Sequence, residues 1–199
     1  MPRLMPQLKI AVLGSGKGSN FRAILTAIMA GHLRVTPVLA ASDVADAGIL
    51  TLADNLGIPT TVIDEPKFRT RLSEDVEAKL VEELQASGAE LIVLAGYMRL
   101  VKAPLLEAFP RRIINIHPSL LPSFPGLEAW RQALTAGVKI TGCTVHFVDS
   151  GVDTGEIIAQ SEVSILPGDT PETLHARIQE AEHELYPEIL ARFAKQGFF

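Results

Sequence analysis

Residues 113–126 read IINIHPSLLPSFPG. The apolar pair Ile113 and Ile114 leads through Asn115, Ile116 and His117 to Pro118. Side chains alternate between the two faces of a strand, so Asn115 and His117 point the same way while Ile116 points into the core. Pro118 cannot donate a ladder hydrogen bond and favours an extended residue before it. The strand is therefore predicted to stop at His117, with Pro118, Pro122 and Pro125 stiffening the loop beyond it. Two hydrogen-bonding side chains then stand together at the carboxyl end of a strand, which is where open α/β sheets bind their ligands. A strand end with two satisfied polar groups and a proline-rich turn fits the local pattern equally well.

The sequence upstream alternates strands and helices. Residues 8–13 are an apolar run broken only by Lys9, and read as a buried first strand. Gly14-Ser15-Gly16-Lys17-Gly18-Ser19-Asn20 follows, and then an apolar-periodic helix over 21–30. Strand, glycine-rich turn and helix make a cradle for an anion, because glycine lets backbone approach the ligand and free N–H groups face it at the helix start. A tight turn with no ligand has the same composition. Gly18 follows Lys17 where a Walker A loop needs Ser or Thr, and Ser19 stands in place of the third glycine of a dinucleotide fingerprint. Asp43, after a second strand at 34–41, lies where a dinucleotide fold would hold its ribose, but the incomplete fingerprint argues against that use. A helix at 45–56, a strand at 58–63, a long amphipathic helix at 68–86, a fourth strand at 89–95 and a short helix at 103–109 complete this half.

Downstream of residue 126 the order changes. A helix over 127–136 ends at Gly137, and strands over 141–148 and 157–163 flank a loop of turn formers, Asp149-Ser150-Gly151-Val152-Asp153-Thr154-Gly155. A last helix starts at Thr170 as N-cap, with Pro171 at its first position and Thr173 at its third, short of a full capping box. Leu174, Ile178, Ala181 and Leu185 form its buried stripe, and Pro187 is expected to kink or restart it.

Composition limits what such a chain can do. The 199 residues suit one α/β domain, with a net charge of −5 and 47 % apolar residues. There is no basic stripe, which argues against nucleic acid, and no apolar run reaches the ~18 residues of a membrane span. Residues 1–7 lack the apolar core of a signal peptide, and the one cysteine, Cys143, suits a reducing cytoplasm. Cys143 has no base in view and reads as a small buried apolar residue.

Taken together, four motifs resemble the folate-dependent formyltransferases, in particular the branch that formylates phosphoribosylglycinamide. They are GSN at 18–20, AGYMR at 95–99, NIHPSLLP with a following PG in 115–126, and HFVDSGVDTGEIIAQ at 146–160. The resemblance implies a Rossmann-like three-layer α/β fold, with a mostly parallel central sheet and an antiparallel C-terminal extension. It implies a phosphate-binding half over about 8–110 and a catalytic half over about 111–199. Asn115, His117 and Asp153 fall on the family's catalytic positions. Gly18, Ser19 and Asn20 match its phosphate loop, and Gln179 and Glu182 match positions near the amine substrate. Arg71, Met98, Arg99, Leu100, Val101 and the loop from Asp149 through Ser150, Gly151 and Val152 to Asp153 match its folate site, which Asn115 also borders. Lys17 and Glu156 stand where relatives carry other residues.

The implied reaction moves a formyl group from 10-formyltetrahydrofolate, as co-substrate and without a metal, to the amine of 5-phosphoribosylglycinamide in purine synthesis. Asn115 and His117 are suited to donate to the oxyanion that develops on the formyl oxygen, and Asp153 to orient His117 and carry a proton. The expected partners are small molecules, with neither nucleic acid nor membrane, and a homodimer stays open. A formyltetrahydrofolate hydrolase shares the trio but is expected to carry a regulatory domain. A methionyl-tRNA formyltransferase shares SLLP but is expected to be longer and more basic. A non-catalytic nucleotide-binding module leaves Asn115, His117 and Asp153 without a use.

Overall fold

The computed structural model describes residues 7–65 and 67–197, so the reading of residues 1–6 lies outside the described residues. Thirteen elements follow in the order β1 (Leu8–Leu13), α1 (Ser19–Met29), β2 (Val35–Ser42), α2 (Gly48–Asp54), β3 (Thr60–Val62), α3 (Glu74–Ala86), β4 (Leu91–Leu94), α4 (Ala103–Ala108), β5 (Ile113–His117), α5 (Ala129–Ala136), β6 (Ile140–Phe147), β7 (Ile157–Ser164) and α6 (Pro171–Gln196). They build one seven-stranded sheet in the order β3-β2-β1-β4-β5-β6-β7. The strands from β3 to β5 are parallel, β6 runs antiparallel to β5, and β7 antiparallel to β6.

The central strands of the sheet are buried on both faces, as their continuous apolar runs require. On one face Ile10, Val12, Ile114 and Val145 pack against Phe21 and Ile24 of α1, Ile49 of α2, and Leu174 and Ile178 of α6. On the other, Ala11, Leu13, Ile92 and Ile113 meet Leu80 and Leu84 of α3 and Leu105 of α4. The chain runs from β1 outward to β2 and β3, then returns past β1 to β4. The topological switch, where an α/β sheet opens a crevice at its carboxyl edge, therefore lies between β1 and β4. Tyr186 of α6 is fully buried, and its hydroxyl lies 2.9 Å from the Leu94 carbonyl and 3.2 Å from the Ile114 carbonyl, bracing β4 and β5 from below.

Three local expectations need correction. The long helix predicted over 68–86 begins only at Glu74. Residues 68–73 are not helical: 69 and 70 bend, Arg71 forms a parallel bridge with Leu100, and Leu72 is buried, so the apolar residues there serve a strap across the loop after β4. Ser73 with Glu74, Asp75 and Glu77 in the first turn marks the true start, where acidic groups favour the helix dipole. Pro187 neither ends nor restarts α6, which runs unbroken through it. Buried Leu185, Tyr186, Ile189 and Leu190 on either side hold the turn that lacks one N–H. Finally, the capping box of α6 is complete: the Thr173 hydroxyl accepts from Thr170 N at 2.9 Å, and the Thr170 hydroxyl accepts from Thr173 N at 3.3 Å.

Candidate active site

At the carboxyl end of β5 the two polar side chains share a face as their spacing dictates. β5 ends at His117, Ile116 and His117 are buried, and Asn115 is half-buried. The strand beside it completes the group. In the β5–β6 register Asn115 stands opposite His146 and His117 opposite Thr144. His146 Nδ1 lies 2.8 Å from the Phe147 carbonyl, which only accepts, so Nδ1 carries a proton. In the neutral ring its Nε2 accepts from the Asn115 amide nitrogen, 3.3 Å away; in the protonated ring the same atom donates toward Asp153. His146 thereby sets which end of the Asn115 amide is the donor, and one amide N–H is left for a ligand.

Asp153 joins the cluster from the loop between β6 and β7. Its Oδ2 is 3.2 Å from His117 Nδ1 and its Oδ1 is 3.6 Å from His146 Nε2. Gly126 N donates to the same Oδ2 at 2.9 Å, so the carboxylate also pins the end of the proline-rich loop. Asp153 is held at φ 53°, a conformation uncommon for a residue with a Cβ. Its neighbours enforce it: a Cβ on Gly155 would stand 1.8 Å from the Phe147 carbonyl, and one on Gly151 2.0 Å from the Thr154 hydroxyl. The Asp149 carboxylate closes the turn by accepting from Gly151 N at 3.0 Å and Thr154 Oγ1 at 2.7 Å.

Electrostatics follow from this geometry. Burial works to raise the Asp153 pKa, but His146, Gly126 N and the charge of His117 outweigh it and hold the carboxyl below its ordinary value. His117 shifts down because it is desolvated, against the opposing pull of the Phe124 carbonyl and of Asp153. Its Nε2 lies 2.9 Å from the Phe124 carbonyl and its Nδ1 faces Asp153. Both ring nitrogens thus meet acceptors, so a proton has to lie between Nδ1 and Oδ2, whichever group carries it. The loop of residues 118–126 is fixed beneath them. Buried Thr144 donates to the Ser119 carbonyl at 2.6 Å and accepts from Leu121 N at 3.0 Å, while Ser119 donates to the Ser123 carbonyl at 2.6 Å. A cleft of about 220 Å³ opens beside Asp153, bordered by Leu121, Pro122, Pro125 and Val152.

The second assembly lies at the carboxyl ends of β1, β2 and β4. Gly18 is the N-cap of α1, at φ 75° and with no side chain capping the helix, so the first N–H groups of α1 have no side-chain acceptor there. A Cβ at Gly18 would meet Ile49 Cα and Leu52 Cδ1 at 3.0 Å, which shows how tightly the loop sits on α2. Asn20 is buried. Its amide nitrogen donates to Glu182 Oε2 at 2.8 Å, and its carbonyl oxygen is buried without a hydrogen-bond partner. Burial pushes the Glu182 carboxyl up to about 7, with Asn20 opposing.

The loop after β4 exposes Met98 and Leu100 at 58 % and 37 %, leaving apolar surface at the sheet edge. The Val101 side chain instead packs into the core below. Arg71 lies exposed, with its guanidinium 4.3 Å over the Phe68 ring. Arg99 turns inward, its Nε 2.6 Å from Asp43. Cys143 is fully buried, and burial pushes its thiol up to about 12, so it is an inert core residue.

Comparison with known proteins agrees with this arrangement. Residues 8–190 match the formyl transferase family. Glycinamide ribonucleotide transformylase 1 from Symbiobacterium toebii superposes with a TM-score of 0.89 at 50 % identity, over 95 % of this chain and 88 % of that one. Phosphoribosylglycinamide formyltransferase of Bacillus subtilis (strain 168) is 43 % identical over 92 % of each chain. The trifunctional purine biosynthetic protein adenosine-3 of Drosophila pseudoobscura pseudoobscura is 48 % identical over 95 % of this chain, which spans 14 % of that protein's length. The chain belongs to the formyl transferase family.

For a formyl transferase, the cluster offers what the transfer of an acyl-like carbon needs: amide and imidazole donors for a developing oxyanion, and a carboxylate to take a proton. The structure brings together Asn115, His117 and Asp153, and separately Asn20 with Glu182. Sequence reasoning missed His146. Its signal was the alternation in β6, which sets Thr144 and His146 on the face away from Cys143, Val145 and Phe147, but the partner across the ladder is visible only in the fold. Among the described residues no helix is long and apolar enough to cross a membrane.

Proposed function

We propose that this formyl transferase moves the formyl group of 10-formyltetrahydrofolate to the amine of 5-phosphoribosylglycinamide, a step of purine biosynthesis. The observation that carries the reading is the cluster of half-buried Asn115 and Asp153 around buried His117, at the same sheet edge as an uncapped helix start suited to a phosphate. Relatives with names for that activity support it. Backbone N–H groups of Gly18, Ser19 and Asn20 hold the phosphate, and Gln179 and Glu182 of α6 face the ribotide. Met98 and Leu100 cover the folate ring, backbone of residues 98–101, Arg99 included, and 149–153 reads its edge, and Arg71 flanks it.

In this reading the amine nitrogen bonds to the formyl carbon, the bond from that carbon to the folate nitrogen breaks, and one proton passes from amine to folate. His117 Nδ1 faces Asp153, so Nε2–H is the donor that turns to the formyl oxygen, replacing the Phe124 carbonyl as its acceptor. The Asn115 N–H not used by His146 is the second donor. Asp153 balances the imidazolium and relays the proton. Purified protein with 10-formyltetrahydrofolate should release tetrahydrofolate only when the ribotide is added. Release of folate and formate at the same rate without ribotide would instead identify a hydrolase.

A further inference from the structure

The crevice at the topological switch, between the loops after β1 and β4, is bridged by side chains that the proposed reaction does not use. Ser15 Oγ donates to Asp43 Oδ1 at 2.5 Å and accepts from Met98 N at 2.9 Å. The other Asp43 oxygen takes Arg99 Nε at 2.6 Å. Arg99 Nη1 then donates to the Phe68 carbonyl and, at 3.2 Å, to the Arg71 carbonyl. The two side chains of the ion pair are 8 % and 10 % exposed, so water screens them little. One carboxylate therefore ties together the ends of β1, β2 and β4 and the strap before α3.

We infer that Asp43 is a positioning residue: by gripping Ser15 of the glycine loop and Arg99 of the loop after β4 at once, it sets the spacing between the ribotide and folate loops. The inference rests on the proposed function in reading those two loops as ligand loops. The grip is asymmetric. The glycine loop has anchors of its own, from Gly14 N to the Ala41 carbonyl at 3.1 Å and from Ile49 N to the Gly16 carbonyl at 3.2 Å. Met98 and Arg99, by contrast, are held through Ser15 and Asp43. Loss of the Asp43 charge leaves Arg99 buried without its counter-ion, and the folate loop then yields first.

The test compares Asp43→Asn with Asp169→Asn. Asp169 pairs with Arg177 at 2.9 Å near the start of α6, in a capping network that the proposed chemistry does not use, and serves as a control for the cost of breaking an ion pair. Asp43→Asn is expected to raise KM for the formyl donor about tenfold, the effect of one lost charged hydrogen bond. KM for the ribotide and kcat should change less than about threefold. Asp169→Asn should lower Tm and leave both KM values alone. In the ligand-free protein, amide exchange at residues 97–101 and 68–71 should speed up in Asp43→Asn and stay unchanged along β5. Ser15→Ala, which cuts one link and keeps the ion pair, should give a weaker version of the same pattern and stands in if Asp43→Asn does not fold. Wild-type KM values and wild-type exchange at 97–101 in either Asp43→Asn or Ser15→Ala would overturn the inference, as would an equal rise of KM in Asp169→Asn. If the wild-type protein shows no ribotide-dependent transfer, the proposed function fails, and exchange at 97–101 still decides whether Asp43 holds that loop.

Discussion

Two assemblies occupy the same edge of one sheet and are built from different materials. The cluster at β5 and β6 consists of polar side chains that face one another, drawn from two strands and a loop: the amide of Asn115 and the titratable His117, His146 and Asp153. The assembly at β1, β2 and β4 is mostly main chain: a glycine-capped helix start, exposed loop backbone, and one ion pair that locks the loops together. The first can fail by losing a proton site while keeping its shape. The second fails when an added atom moves the backbone. Under the proposed function the first design suits chemistry that shifts protons, and the second suits recognition of a phosphate and a flat ring.

The sharpest way to break this contrast is an isosteric change in the side-chain cluster. Asp153→Asn keeps size but removes charge and proton acceptance, and is expected to cut kcat by about 10²–10⁴ with Tm little changed. His117→Ala with Asp153→Asn should be hardly worse than the more severe single variant, because groups acting as a unit are not additive; rapid-quench rates that multiply would disprove the pairing. Asn115→Ala should cost about 10²–10³ in kcat as a lost oxyanion donor. His146→Ala should cost less than Asn115→Ala in steady-state kinetics, since it removes no oxyanion donor and acts only through the Asn115 amide and the Asp153 carboxylate.

The main-chain assembly should respond to bulk instead. Gly18→Val places a side chain at φ 75° against Ile49 and Leu52, so it destabilises the whole fold by about 1–3 kcal/mol, read as a drop in Tm. It therefore tests packing more than phosphate binding. Gly16→Ala meets nothing within 4 Å and has no such strain, so it should leave Tm within a degree or two. Equal Tm losses in the two variants would sink the packing account.

The smallest effect concerns pH. The Glu182 carboxyl is raised from 4.5 to about 7 in the folded protein. The folded state thus holds a proton that the unfolded state releases first, and this contribution to stability is full below about 4.5 and lost as pH rises through about 7. Urea titrations should show stability falling over that window, and Glu182→Gln, neutral throughout, should flatten the fall. An unchanged slope in Glu182→Gln would assign the titration to another group.

Sequence periodicity was enough for the element order and the layering, because a parallel sheet covered on both faces writes long apolar runs into β1, β2 and β4. The stop at His117 was equally legible, since proline acts locally. Elsewhere local rules competed with distant contacts. Residues 68–72 carry enough apolar character to continue a helix, yet Leu72 and Arg71 are claimed by the loop after β4, a partner the local pattern does not contain. Arg99 reads as a ligand-facing cation until Asp43, brought to it by strand order, turns it inward. His146 was placed on a face but not in the site, because its role depends on the antiparallel register that sets it opposite Asn115.

The contact between Asn20 and Glu182 also has a consequence in time. The two residues are 162 positions apart. A chain made at roughly 5–20 residues per second keeps Asn20 waiting on the order of ten to thirty seconds for its partner to be synthesised. The glycine loop is among the first segments to leave the ribosome, yet the last helix, α6, supplies the partner of its Asn20. A nascent chain arrested before α6 already contains β1 to β7 and the whole of the loop sequence, and under the proposed function it should bind no ribotide until α6 is released.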